Sequence, residues 1–155
     1  MAPKKAVASA KPVKKAPAPS KKAPAPPKKT HRPKVAPPAT HTHSSTPAEF
    51  QRVWTAHRGK KPLLLFVYSE TCPYCVVVQP VWQAFVATHP AVSTASVPSA
   101  AFSAPGVQFN TVPFFAMVTS KGKVHKFDEF LALQPKGKEG RTVENLKRFA
   151  VIAAA

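Results

Sequence analysis

The chain has 155 residues, room for one ordinary domain, and a formal net charge of +17 that is unevenly spread: up to Pro47 there are eleven Lys/Arg, eleven Pro and no acidic residue, whereas from Ala48 onward twelve Lys/Arg meet six Asp/Glu. The longest strongly apolar run, LLLFV at 63–67, is far too short to span a bilayer as a helix. The opening MAPKKAVASAKPVKK lacks the continuous apolar stretch of a secretory signal, so a soluble protein of a reducing, intracellular compartment, cytoplasmic or nuclear, is expected.

Residues 1–45 contain no Phe, Tyr, Trp, Leu or Ile and cannot bury enough apolar area to offset the entropy of ordering a backbone; a disordered basic Lys/Pro/Ala-rich arm is expected. KKAPAPS at 14–20 is followed by KKAPAPP at 21–27 and a further KK. Proline locks φ, so this repeat reads as a stiff, polyproline-like spacer that carries Lys14, Lys15, Lys21, Lys22, Lys28 and Lys29 as paired charges. Such pairs suit a nucleic acid or another polyanion, since each neutralised phosphate releases counterions; the alternative is a solubilising or tethering linker. His31, His41 and His43 belong to this arm and read as solvated.

The domain, residues 46–155, opens with TPAEFQRVWTAHRG, in which Thr46 caps a helix, Pro47 fits its first position and Glu49 completes a capping box. KPLLLFVYS reads as a strand apolar on both faces, the mark of a central strand covered on each side. A helix of about four turns follows to Thr88, bent by the internal Pro80. AVSTASVPS is a short strand, AAFSAPGVQFN allows a turn or two of helix, and TVPFFAMVTSKGKVHKFDEF holds two strands joined as a hairpin with Gly122 where positive φ is needed. LALQPKGKEG reads as a loop, and RTVENLKRFAVIA closes the series as an amphipathic helix with Val143, Leu146, Phe149 and Ile152 on one face.

The only two cysteines, Cys72 and Cys75, stand directly after the buried strand at the start of the second helix. Both sulfurs then lie on one side of the helix, and the unpaired N–H groups of its first turn favour a thiolate on the first. Depressing a thiol below its usual value of ~8.5 suits it to disulfide exchange. Two other readings stand beside this one: a pair retained on a fold used as a scaffold, and a zinc clip. Zinc needs two further ligands, and the nearest histidines, His57 and His89, show no ligand spacing, so no metal and no other cofactor is expected. His125 reads as an exposed strand residue.

At this point the sequence resembles the thioredoxin superfamily over most of residues 48–155. YSETCPYC is similar to the lead-in of thioredoxins with the Pro-Tyr centre of glutaredoxins, Pro80 matches the proline of the active-site helix, and TVPFF matches the cis-proline strand thirty-eight residues past Cys75. EGRTVENLKRF is similar to the ending of protein disulfide isomerase domains. The resemblance implies an α/β thioredoxin-like fold, a central mixed sheet flanked by helices. It also implies a thiol-disulfide oxidoreductase acting on protein disulfides, with Cys72 and Cys75 catalytic. Val112, Pro113, Pro73 and Tyr74 would position the substrate, and Arg141 would favour ionisation of Cys75. The sequence departs from the family at Phe66, where thioredoxins and disulfide isomerases hold a buried acid six residues before the first cysteine, and slower turnover follows from that loss. The second reading is a structural or assembly component, for example of a viral particle or nucleoprotein. It would use the domain as scaffold and the arm as anchor, and the arm's composition resembles linker-histone tails and the Pro-Ala-Lys repeats of large DNA viruses.

Overall fold

The computed structural model describes residues 40–88, 91–138 and 140–155. The six arm lysines and His89 named above lie outside them. Chain order is β1 (His41–His43), α1 (Pro47–His57), β2 (Leu63–Tyr68), α2 (Pro73–Thr88), β3 (Ser93–Pro98), a single 3-10 turn, β4 (Phe114–Val118), β5 (Val124–Lys126), α3 (Phe127–Ala132) and α4 (Val143–Ala154). The strands form one mixed sheet in the order β1-β3-β2-β4-β5. β1, β3 and β2 are parallel and β4 and β5 antiparallel to their neighbours, with Leu63 opposite both Ser93 and Val118.

β2 explains the layering. Its period of two sends Leu63, Leu65 and Val67 to a core shared with Phe50, Val53 and Trp54 of α1. Leu64 and Phe66 go to the opposite core, with Val78, Trp82 and Phe85 of α2, Phe127 of α3, and Leu146 and Phe149 of α4. A strand covered on both faces has no polar side to show, which is why LLLFV carries none.

The helix starts follow local chemistry. The Thr46 hydroxyl accepts from the Glu49 N–H and the Glu49 carboxylate accepts from the Thr46 N–H, closing the expected capping box. Pro80 lies inside α2, where it leaves the Val76 carbonyl without its helical donor. The β4–β5 hairpin turns at Gly122, whose φ of 79° only glycine adopts freely.

Three elements differ from the sequence reading. The sheet begins at His41, inside the segment assigned to the arm: His41, Thr42 and His43 pair with Thr94, Ala95 and Ser96, so these two histidines, although solvent-exposed, belong to a strand. A short helix, α3, takes up FDEFLA, the last four residues of the expected hairpin segment and the first two of the expected loop, because Phe127 and Leu131, one turn apart, both reach the core. In α4 the buried face is Asn145, Leu146, Phe149, Ala150 and Ala153, and Ile152 is 62 % exposed.

Asn145 is buried because the segment before α4 needs it. Its Nδ2 donates to the Lys138 carbonyl at 2.7 Å and the Gly140 carbonyl at 2.8 Å. Asn145→Ala strands both acceptors, and urea denaturation should show a loss of about 2 kcal/mol; an unchanged midpoint would contradict the role given to this side chain.

Candidate active site

The site is built where β2 hands over to α2. The Cys72 N–H donates to the Ser69 carbonyl at 3.2 Å, and the Cys72 carbonyl accepts from the N–H groups of Cys75 (3.0 Å) and Val76 (3.3 Å), so Cys72 stands at the cap of the helix. Pro73 takes the first helical position, where the missing N–H costs nothing. The first-turn N–H groups of Tyr74 and Cys75 also act on the Cys72 sulfur.

The two thiols sit in opposite surroundings. A hydrogen bond from the Cys75 side chain, supported by the Cys75 and Tyr74 N–H groups, holds Cys72 below the ordinary thiol value. Cys75 is 3 % exposed. Burial pushes it up to about 11, the hydrogen bond to Cys72 and the Cys72 charge push the same way, and the Ser69 N–H at 3.5 Å and the Arg141 charge oppose them. Both cysteines are free thiols. The pair therefore combines an accessible, ionisable thiol with a buried, protonated one, the division that disulfide exchange needs.

The other predicted residues gather unevenly. β4 pairs with β2 so that Phe114 lies opposite Val67, and this register brings the preceding cis Val112–Pro113 bond beside the head of α2. The Cys72 Sγ is 3.6 Å from the Val112 carbonyl. Pro73 and Tyr74 are exposed on the first turn, Tyr74 at 76 %, and with Val76 and Val77 they form an apolar rim beside Cys72 that the sequence reading had placed in the helix without seeing its exposure. Arg141 lies near enough to act on Cys75, but its guanidinium is held by Asp128 at 2.7 Å.

Phe66 occupies its position as part of an aromatic stack, its ring 4.8 Å from Phe115, 5.3 Å from Trp82 and 5.4 Å from Tyr68. No acid replaces the missing one from the neighbouring strands; β1 instead adds two imidazoles. His43 stacks on Tyr68 and His41 meets Trp82 edge-on, while their Nδ1 atoms bond the Ser96 and Thr94 hydroxyls at 3.0 and 2.9 Å. Together they border a cavity of about 240 Å3 under the sheet edge. Partial burial, with the His43 charge, lowers the His41 value. The sequence reading missed this pair; its only signal was the two-residue spacing of His-Thr-His-Ser after the proline-rich repeat. Among the described residues no three His, Cys, Asp or Glu side chains gather as a metal ligand set.

No protein-family model matches the chain, and no curated protein matches it by sequence. Solved structures do match by shape. The J-Trx1 fragment of ERdj5 aligns with 73 % of this chain and 51 % of its own length at 19 % identity and a TM-score of 0.53, so the chain spans about half of that fragment. Thioredoxin of Fasciola hepatica aligns over 71 % and 96 % at 16 % identity with a TM-score of 0.52. Thioredoxin O2 of Arabidopsis thaliana aligns over 74 % and 95 % at 17 % identity with a TM-score of 0.50. Strand order, the helix proline, the cis X-Pro bond and these alignments agree: the chain carries the fold of the thioredoxin superfamily.

Proposed function

We propose that the protein is a thiol-disulfide oxidoreductase acting on protein disulfides. The observation that carries this reading is the opposed setting of the two thiols, Cys72 lowered at the helix cap and Cys75 raised by burial one turn later. The Cys72 thiolate attacks one sulfur of the substrate disulfide, forms a mixed disulfide and expels the other sulfur as a thiolate that takes up a proton. Cys75 then loses its proton and attacks the Cys72 sulfur. The mixed disulfide breaks, the Cys72–Cys75 disulfide forms and the second substrate thiol leaves. The substrate is reduced by two electrons and the protein oxidised by two; a dithiol reductant restores it. The exposed rim of Tyr74, Val76 and Val77 and the Val112 backbone stand where an extended substrate strand would lie.

Reduction of insulin by dithiothreitol should be accelerated by the protein and return to the uncatalysed rate with Cys72→Ser, while Cys75→Ser should accumulate the mixed disulfide. Acceleration that survives Cys72→Ser would remove the redox reading.

Deprotonation of Cys75 is the slow point, since Phe66 offers no acceptor. Cys72 ionises below the ordinary thiol value, so iodoacetamide should label it first at neutral pH. Below its own pKa the Cys75 thiolate fraction grows tenfold per pH unit, and burial still holds that thiol up when the Cys72 sulfur is bonded to substrate, so release from a preformed mixed disulfide should keep rising above pH 8. A plateau by pH 8 would mean that another group takes this proton.

The arm is proposed to hold a polyanion, on the strength of its eleven Lys/Arg and its lack of acids. Because β1 begins at His41, a clean deletion must stop before it. Removing residues 1–35 should cut the salt-sensitive affinity for DNA at least tenfold at physiological ionic strength, and undiminished binding would refute the arm's role.

A further inference from the structure

β3 lies between β1 and β2, all three parallel, so residues in register across them point to the same face of the sheet. On the face that α2 covers, one row reads His41, Thr94, Leu64 and the next His43, Ser96, Phe66. The middle member of each row is short and the outer members are long. Neighbouring strands are about 4.8 Å apart, so two tall walls stand roughly 10 Å from each other across a floor of hydroxyls. The cavity of about 240 Å3 is part of this trough, closed over by α2.

Phe66, Trp82 and Ser96 are its buried lining, while His41, His43, Gln79 and Gln83 are exposed at its mouth. The two imidazoles are fixed at the rim by the Thr94 and Ser96 hydroxyls. Neither cysteine lines the cavity.

Several polar groups of the lining lack partners. Trp82 is 3 % exposed, and its indole N–H has no acceptor among the described residues. The amides of Gln79 and Gln83, one helical turn apart on α2, bond to nothing among the described residues either. Native folds leave few buried donors without an acceptor, because each is costly. A ligand that brings an acceptor into the cavity removes that cost.

The lining also selects the ligand. Phe66, Tyr68 and Trp82 form an aromatic wall, which suits a flat ring. Each Gln amide sets an acceptor beside a donor, the pattern that pairs with the adjacent ring nitrogen and amino group of adenine. No Lys, Arg, Asp or Glu lines the cavity, so nothing there pairs with a charged group. Its volume falls below the roughly 300–1,000 Å3 of pockets for drug-sized ligands, which leaves room for one small ring system.

We infer that this trough is a binding site for a small, neutral, flat heteroaromatic molecule of the purine-base type. The ring lies against Phe66 and Tyr68, its hydrogen-bonding edge meets Gln79 and Gln83, and a ring nitrogen accepts from the Trp82 N–H. The site is separate from the dithiol and stands whether or not the redox reading does.

The test uses the full chain, labelled with nitrogen-15, and adenine as the probe. The indole N–H resonance of Trp82, identified by its loss in Trp82→Phe, should shift saturably, whereas that of Trp54, in the opposite core, should stay in place. Gln79→Leu and Gln83→Leu alter exposed positions and should each weaken adenine binding about fivefold or more. Gln108→Leu, the same change on an exposed position before β4, should leave binding unchanged. Circular dichroism confirms that the variants fold. Absence of a saturable shift at Trp82, an equal shift at Trp54, or an equal loss in Gln108→Leu overturns the inference. Indole, flat but without a ring acceptor, should bind more weakly than adenine; equal affinity overturns the assigned ligand class. Tighter binding of adenosine monophosphate than of adenine overturns it in favour of an anion site.

Discussion

Leu63 to Val67 are each 0 to 1 % exposed, and this five-residue stretch sets the terms for the rest of the domain. A strand with no wet face must be covered twice, which accounts for helices on both sides of the sheet. It must also be paired along both edges. β3 pairs in parallel and β4 in antiparallel, and the antiparallel run of β4 brings the X-Pro bond before it to the point where β2 ends and the chain passes into the cap of α2. The cysteines inherit their positions from that convergence.

Within one helical turn the two sulfurs meet different solvents. Cys72, at the cap, faces N–H groups of the first helical turn; Cys75 has been turned inward, where charge is costly. The same hydrogen bond that helps Cys72 ionise holds the proton on Cys75, so the asymmetry reinforces itself. Phe66 deepens it. An aromatic stack with Phe115, Trp82 and Tyr68 strengthens the core near the buried thiol but supplies no proton acceptor, so packing takes the place of proton transfer at this position.

What was legible in the sequence was whatever depends on local chemistry or on a strong period. The capping box at Thr46, the central strand, the Cys-Pro-Tyr-Cys turn, the helix proline and the glycine hairpin each declare themselves through residues that suit few other roles. β1 was not legible because its three residues are polar and both histidines are exposed, and the groups that hold His41 and His43, the hydroxyls of Thr94 and Ser96 and the rings of Trp82 and Tyr68, lie far along the sequence. In α4 an apolar count favoured Ile152 over Asn145. The structure chose otherwise because two loop carbonyls needed donors, while Ile152 stays largely exposed. α3 was hidden for a similar reason: six residues are too few for a period to show, and the anchor, Phe127, finds its partners in other elements.

The sheet ends on both sides in strands of three residues, β1 and β5. Open sheet edges add to one another when copies of a chain crowd together. Three residues expose too few unpaired backbone groups to template a neighbour, and the His41, His43, His125 and Lys126 side chains set polar or charged groups along both rims. The brevity that hides β1 from a sequence reader thus protects the fold from polymerising edge to edge.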